Sequence, residues 1–321
     1  MDRREFLSRA AFTASMLGSF PATLDACIRE PVPGKIERRA LGRTGLKVSA
    51  LAFGGFMLHG ATPELAAQWV RDAFEAGVTH FDVAPEYGTA EELMGPALEP
   101  YRKRVVLSCK TAKRTQREAE AELRRSLQRL RTDHIDVYQF HHVTTLDEVD
   151  AIFAADGAIH AFEQAKRDGR VRFLGFSAHS VEAALAMLDR YRFDTLMFPV
   201  NYATWNAGNF GPQVLAKARS QGVGILALKA MARGPWPPGA DRSDYPNCWY
   251  QPMTDPDEAL MGLRFTLSHP VATALTPASG KFLPIALRAA ARFTPLRPGE
   301  AEEMKRKGLA AQPLFRYRGP A

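Results

Sequence analysis

Eight short apolar runs, separated by amphipathic segments, constrain this chain more than any other feature of its sequence. They fall at 50–54, 79–83, 104–109, 135–141, 171–176, 195–200, 223–228 and 271–276. Their spacing, about 30 residues, is that of repeated strand–helix units in a parallel sheet. The segments between them are helical in pattern. Within 115–131, Leu123, Leu127 and Leu130 form one face and arginines and glutamates the other; within 63–77, Trp69, Val70, Ala73 and Phe74 form a similar stripe. Gly77, Gly169 and Gly222 each follow a helical segment, where a left-handed C-cap favours glycine. An open doubly wound sheet would want a Gly-rich phosphate turn after its first strand. Here Gly54-Gly55 runs into Phe56 and forms no such turn. The pattern therefore predicts an α/β fold, a closed (β/α)₈ barrel. Gly42 and Gly45, within 39–48, predict an N-terminal β-hairpin capping the barrel floor.

The chain has 321 residues, 46% of them hydrophobic, which suffices for one such barrel of about 250 residues. Its net charge of +7 is spread along the chain, with the densest groups at 102–104, 113–131 and 305–307. These read as solvated faces. With no zinc spacing and no aromatic RNA-binding motif, a nucleic-acid partner is not expected. Cys27, Cys109 and Cys248 form no CxxC pair, so no metal site is expected. Cys109 reads as a packed core thiol, and nothing in the sequence favours a disulfide from it to Cys248.

The first residues read as an address. Arg3-Arg4-Glu5-Phe6-Leu7, followed by a mildly apolar run over 10–24, has the pattern of a twin-arginine signal. Leu24-Asp25-Ala26-Cys27 is similar to a lipobox. Residues 1–27 are thus expected to engage the twin-arginine export machinery, with either a lipid anchor at Cys27 or ordinary cleavage. Residues 28–37, with Pro31, Pro33 and Gly34, read as a tether, and 38–321 as the barrel, in the periplasm or envelope. No other stretch reaches the roughly 18 uncharged apolar residues of a membrane span.

In a barrel of this kind the chemistry sits at the C-terminal ends of the strands. The second run ends with Phe81-Asp82-Val83-Ala84, and Tyr87 follows; the third ends with Ser108-Cys109-Lys110; the fourth with Gln139-Phe140-His141-His142. An Asp, a Tyr, a Lys and a His thereby converge on one rim. A buried Lys is costly without a partner, and Asp82 is placed to provide one. The Lys charge would lower the pKa of a neighbouring tyrosine hydroxyl, which could then exchange a proton near neutral pH. A histidine beside it could hydrogen-bond a carbonyl. Such a site suits carbonyl reduction, with the hydride supplied by a nicotinamide. Strand alternation leaves open whether His141 or His142 faces the axis.

Several of these segments also resemble a family. Phe81-Asp82-Val83-Ala84-Pro85-Glu86-Tyr87-Gly88 resembles the aldo-keto reductase motif around its catalytic Asp and Tyr. The segment from Ser126 to Asp136 resembles the family's helix leading into the fourth strand, and Tyr138-Gln139-Phe140-His141 the end of that strand with the catalytic His, which selects His141. The segment from Gly169 to Ser177 is similar to the fifth-strand segment. The likeness runs from about Arg39 to Ser279. It implies Tyr87 as general acid or base, Asp82 and Lys110 as its tuning pair, and His141 as orienter of a small carbonyl or alcohol substrate. It implies NADP(H), favoured over NAD(H), lying across the barrel mouth. The expected cofactor contacts are Gly55, Phe56, Ser177, Leu228, Lys229, Met231, Gly234, Ser279 and Lys281. Three departures stand out: Ala178 where the family often has Asn, Leu228 where it usually has a Tyr stacking on nicotinamide, and no evident Glu and Asn downstream of Lys281. Lys281 and Arg288 are the expected partners of a 2′-phosphate.

The segment 234–252 contains Trp236, Tyr245, Trp249 and Tyr250 and is expected to shape the substrate pocket, with Trp205 and His59 as further lining. Two other readings compete: a nucleotide-binding accessory or redox-sensing barrel without substantial turnover, and a Schiff-base aldolase using Lys110. Oligomeric state is not legible.

Overall fold

The computed structural model describes residues 35–319; the signal, lipobox and most of the tether lie outside them. Each of the eight apolar runs coincides with a strand: β3 (Leu51–Gly54), β4 (His80–Asp82), β5 (Val106–Thr111), β6 (Ile135–Val143), β7 (Val171–Ala178), β8 (Thr195–Pro199), β9 (Gly224–Leu228) and β12 (Thr273–Leu275), of which β5, β6 and β7 each extend two residues past the expected end. They close a parallel barrel in the order β12-β3-β4-β5-β6-β7-β8-β9. Every connection between successive barrel strands carries at least one helix. The helix Pro63–Glu75 begins at Thr62, whose side chain accepts from the Leu65 N–H, with proline at the first helical position. Gln116–Arg129 is capped likewise by Thr115. Gly77, Gly169 and Gly222, at φ 99°, 76° and 69°, adopt the left-handed conformation expected after a helix.

The core has two parts. Phe53, Phe81, Phe140, Phe176 and Phe198 pack between strands and helices, whereas Val106, Val137, Met197 and Leu226 fill the barrel's lower interior. Above that layer the interior turns polar. His80 and Ser108 lie 2.6 Å apart through Nε2 and Oγ, and Gln139 donates to Thr195 Oγ1 at 3.4 Å. Burial, followed by the charge of Lys110, lowers the His80 pKa to about 3, so His80 adds no second cation to the interior. Gly175 makes this layer possible, since a Cβ there would lie 2.1 Å from Thr195 Oγ1.

The hairpin is present. β1 (Arg38–Ala40) pairs antiparallel with β2 (Lys47–Ser49). It caps the floor closely: at Gly42, φ 53°, a Cβ would meet Gly224 N at 2.3 Å. The Arg43 guanidinium donates to the carbonyls of Gln221 at 2.6 Å and Arg192 at 2.9 Å. At the other end β10 (Ala232–Gly234) pairs with β11 (Gln251–Pro252), so the aromatic segment between them folds back over the mouth. Among the described residues no helix is long and apolar enough to cross a membrane.

Candidate active site

β4 and β5 are adjacent, with Asp82 opposite Ser108 in register. Lys110 stands two residues further along β5, on the same face, and reaches back to Asp82. Its ammonium group lies 2.5 Å from both Asp82 carboxylate oxygens and donates to the Val83 carbonyl at 3.2 Å. Both residues are buried, Lys110 completely. Burial works against the lysine charge, but Asp82 and then Tyr87 outweigh it and hold the Lys110 pKa above its ordinary value. Burial pushes the Asp82 carboxyl up, against the pull of Lys110. With three oxygens around its ammonium group, Lys110 is the partner that keeps the proton.

The loop after β4 turns at once, the Tyr87 N–H donating to the Ala84 carbonyl at 3.0 Å. This sets the Tyr87 ring over the barrel mouth. Lys110 Nζ is 5.4 Å from the ring centroid. Phe56 meets the ring edge-on at 4.9 Å and His141 at 5.6 Å, both centroid to centroid. His141 is 3% exposed, and its Nδ1 lies against a Glu86 carboxylate oxygen. The choice between the two histidines has a structural basis. β6 shifts register against β7 between Phe140 and Val143, with His142 at φ 58°. The strand's alternation therefore breaks there. His141 joins Tyr87, while the backbone N–H of His142 donates to Ser177 Oγ at 2.7 Å and its ring packs on His179.

A cleft opens beside Tyr87. Its strand-end lining includes Gly54, Phe56, Asp82, Leu228, Lys229 and Thr276, and its loop lining Asn247, Trp249, Tyr250 and Ala278. Lys229 sits at φ 68°, a conformation that costs a non-glycine residue about 1–3 kcal/mol. Asn201 holds the turn, donating to the carbonyls of Lys229 at 3.3 Å and Ala232 at 3.2 Å. The Lys229 ammonium lies 5.2 Å from the Trp249 ring centroid and 5.0 Å from that of Tyr250. Asn247 ties the loop across the mouth by donating to the His59 carbonyl at 3.0 Å.

Asp82, Tyr87, Lys110 and His141 thus meet at one rim, and Phe56, Leu228 and Lys229 join the adjacent cleft. Ser177 lies beside them, 1% exposed. Ser279 and Lys281 follow β12, and Lys281 pairs with Asp244 of the mouth loop at 3.0 Å. Of the nine expected contacts, Gly55, Ser177, Met231, Gly234, Ser279 and Lys281 are not among the cleft's lining. Gly55 is packed against β4, where a Cβ would lie 2.5 Å from the Asp82 carbonyl, and Gly54 lines the cleft instead. Met231 is 2% exposed and accepts from the Met253 N–H, and Gly234 is buried within β10. Trp249 and Tyr250 line the cleft as expected of that loop, but Trp205 packs on His269, centroids 4.1 Å apart. Cys109 and Cys248 are free and buried. Neither Glu86 nor Asn247 is marked by the sequence as a site residue. Glu86 stands beside Tyr87 in the quoted motif, but only its contact with a distant strand marks it.

Residues 50–249 match the model of the aldo/keto reductase family. L-galactose dehydrogenase from Arabidopsis thaliana is 28% identical over 218 residues, 62% of this chain and 67% of that protein. Aldo-keto reductase YhdN from Bacillus subtilis is 31% identical over 222 residues, 62% of this chain and 63% of that protein. The matches to the first curated relatives span between 49% and 67% of those proteins' lengths. In fold the chain is similar to the aldo-keto reductase AKR11C1 from Bacillus halodurans in its holo form, with a TM-score of 0.70, 22% identity, and coverage of 88% of this chain and 99% of that one.

Proposed function

The chain belongs to the aldo/keto reductase family, and from that premise we propose that it is a nicotinamide-dependent oxidoreductase interconverting an aldehyde or ketone with its alcohol, Tyr87 acting as general acid and base. The observation that carries this reading is the buried Lys110–Asp82 pair beneath the Tyr87 ring, with His141 at its edge. The Lys110 charge interacts favourably with a negative Tyr87 oxygen, so it assists transfer of the Tyr87 proton to a carbonyl oxygen. Asp82 keeps Lys110 charged and in place. His141 orients the substrate oxygen. In the oxidising direction Tyr87 takes the proton back.

The donor set suits a nicotinamide dinucleotide: an apolar floor at Leu228, a buried hydroxyl at Ser177, and cations at Lys229, Lys281 and Arg288. Ser177 would contact the carboxamide, Leu228 would cover the ring, Lys229 would meet the pyrophosphate, and Lys281 and Arg288 would meet a 2′-phosphate. When bound, this cofactor supplies or accepts the hydride. The two basic residues favour NADP(H) over NAD(H). A fluorescence titration tests this directly. NADPH is expected to bind more tightly than NADH, and Lys281→Ala to weaken NADPH roughly tenfold, the worth of one charge-assisted contact, while changing NADH little. Binding of neither nucleotide by folded protein would overturn the reading.

The motif at Arg3-Arg4 supports export of the folded protein by the twin-arginine route, to the periplasm or envelope. Free NADPH is not expected there, so either the cofactor travels bound and is recycled between two substrates, or export is inefficient and the enzyme works inside. Changing Arg3 and Arg4 together to Lys is expected to retain the protein in the cytoplasm on cell fractionation. Unchanged partitioning would remove the export proposal.

A further inference from the structure

His141 is nearly sealed from solvent, yet its Nδ1 touches a carboxylate that is not sealed. The Glu86 side chain is 41% exposed. On its outer side it lines a polar cleft together with Glu91, Glu122, Arg125 and Arg129. Proline at 85 and the Tyr87–Ala84 turn fix where Glu86 and Tyr87 leave the backbone. The two side chains therefore flank the same imidazole, Tyr87 edge-on at 5.6 Å and Glu86 at Nδ1.

We infer that Glu86 is a positioning residue for the proposed reaction: its carboxylate keeps a proton on Nδ1 of His141 and favours the doubly protonated ring, whose Nε2 then donates to the substrate oxygen. The inference rests on the carbonyl–alcohol reading for its consequence in catalysis, but the Glu86–His141 coupling itself does not. The chemistry follows from the two nitrogens. With Nδ1 facing a carboxylate, a neutral ring carries its proton there, and Nε2 is an acceptor. Nε2 becomes a donor only when the ring is charged, and a neighbouring carboxylate favours the charged ring.

Other charged and titratable groups surround this ring and already have partners. Lys110 at the end of β5 is matched by Asp82 at the end of β4. Arg114, in the loop after β5, donates to the His141 carbonyl at 2.7 Å and pairs with Glu148 at 3.1 Å. It also lies close enough to Glu86 to share its charge. His142 on the same strand packs against His179 at the end of β7, centroids 4.9 Å apart. Tyr87 faces the ring from the loop after β4. Glu86 is the carboxylate that lies against His141 Nδ1. Its exposed side also gives the ring a route for proton exchange with solvent.

The test is an NMR titration of imidazole-labelled full-length chain, without cofactor or substrate, with His141 assigned by its loss in His141→Asn. In Glu86→Gln the proton affinity of His141 is expected to fall about tenfold or more, one pKa unit or more, and Glu86→Asp is expected to restore much of it. For carbonyl reduction, Glu86→Gln is expected to lower kcat/KM about tenfold at neutral pH and to move the alkaline limb of the pH profile to lower pH by the same amount as the titration. An unmoved titration and an equal loss of rate at every pH would make Glu86 merely structural and overturn the inference. A shifted titration in a chain that reduces no carbonyl would overturn the carbonyl–alcohol reading and leave the Glu86–His141 coupling standing.

Discussion

Tyr87→Phe is expected to lower carbonyl turnover by about 10²–10⁴, the usual contribution of a positioned general acid, with nucleotide affinity and folding unchanged. The substitution removes one hydroxyl and leaves the ring. The edge contacts to Phe56 and His141 and the seat above Lys110 depend on that ring. Little packing is lost, so a fall in rate would report on the proton alone. The decisive measurement is kcat and KM for one reduced carbonyl across pH, beside an NADPH titration of the same preparation. A large fall in kcat with unchanged nucleotide binding is the expected result. Full activity in the variant would take the proton-transfer role from Tyr87 and the reading with it.

The parts of this arrangement differ in how far the sequence discloses them. The strands are legible because each is an apolar run between helical patterns, and all eight appear in the barrel. Their ends are less so: β6 runs on to Val143 through an irregularity at His142 that no alternation rule anticipates. Asp82 and Lys110 are legible for a physical reason, since a charged residue closing an apolar strand requires a partner, and here each supplies the other. Choosing His141 over His142 required the family resemblance, because alternation places one of the two toward the axis without saying which; in the structure Val137, Gln139 and His141 share the interior face.

The cofactor side is less legible. Met231 and Gly234, expected as cofactor contacts, would line the cleft only if the chain ran on along the rim after β9. Instead it turns at Lys229, and the β10–β11 pairing buries Gly234 in a small sheet and Met231 beside it. That pairing joins segments on either side of a long loop, and local pattern carries no trace of it. Glu86 escapes for a similar reason. An acidic loop residue after proline has no pattern of its own, and its partner lies on another strand.

Lys110→Met tests the other half of the site, and its expected effect is on the fold as well as on the chemistry. Removing one partner of a buried ion pair costs about 3–5 kcal/mol, because the remaining charge stays in a low-dielectric interior. Here that charge is Asp82, which is 1% exposed. Burial already pushes its pKa up, and Lys110 is the group that opposes the shift. Without Lys110 the folded-state pKa of Asp82 rises further above its unfolded value, so protonation favours folding. The stability linked to that proton is fully present below the unfolded value, about 3.9, and is lost as pH rises through the folded one. The variant should therefore lie closest to the wild type in acid and fall progressively behind toward neutral pH, as read from urea midpoints at several pH values. A deficit independent of pH would assign the loss to packing. Combining Lys110→Met with Asp82→Asn removes both charges and should recover much of the stability at neutral pH. It should not recover turnover, because Tyr87 would still lack the cation that favours release of its proton. Stability regained without activity would separate the pair's contribution to the fold from its contribution to the chemistry, whereas activity regained with stability would show that Lys110 serves the barrel alone.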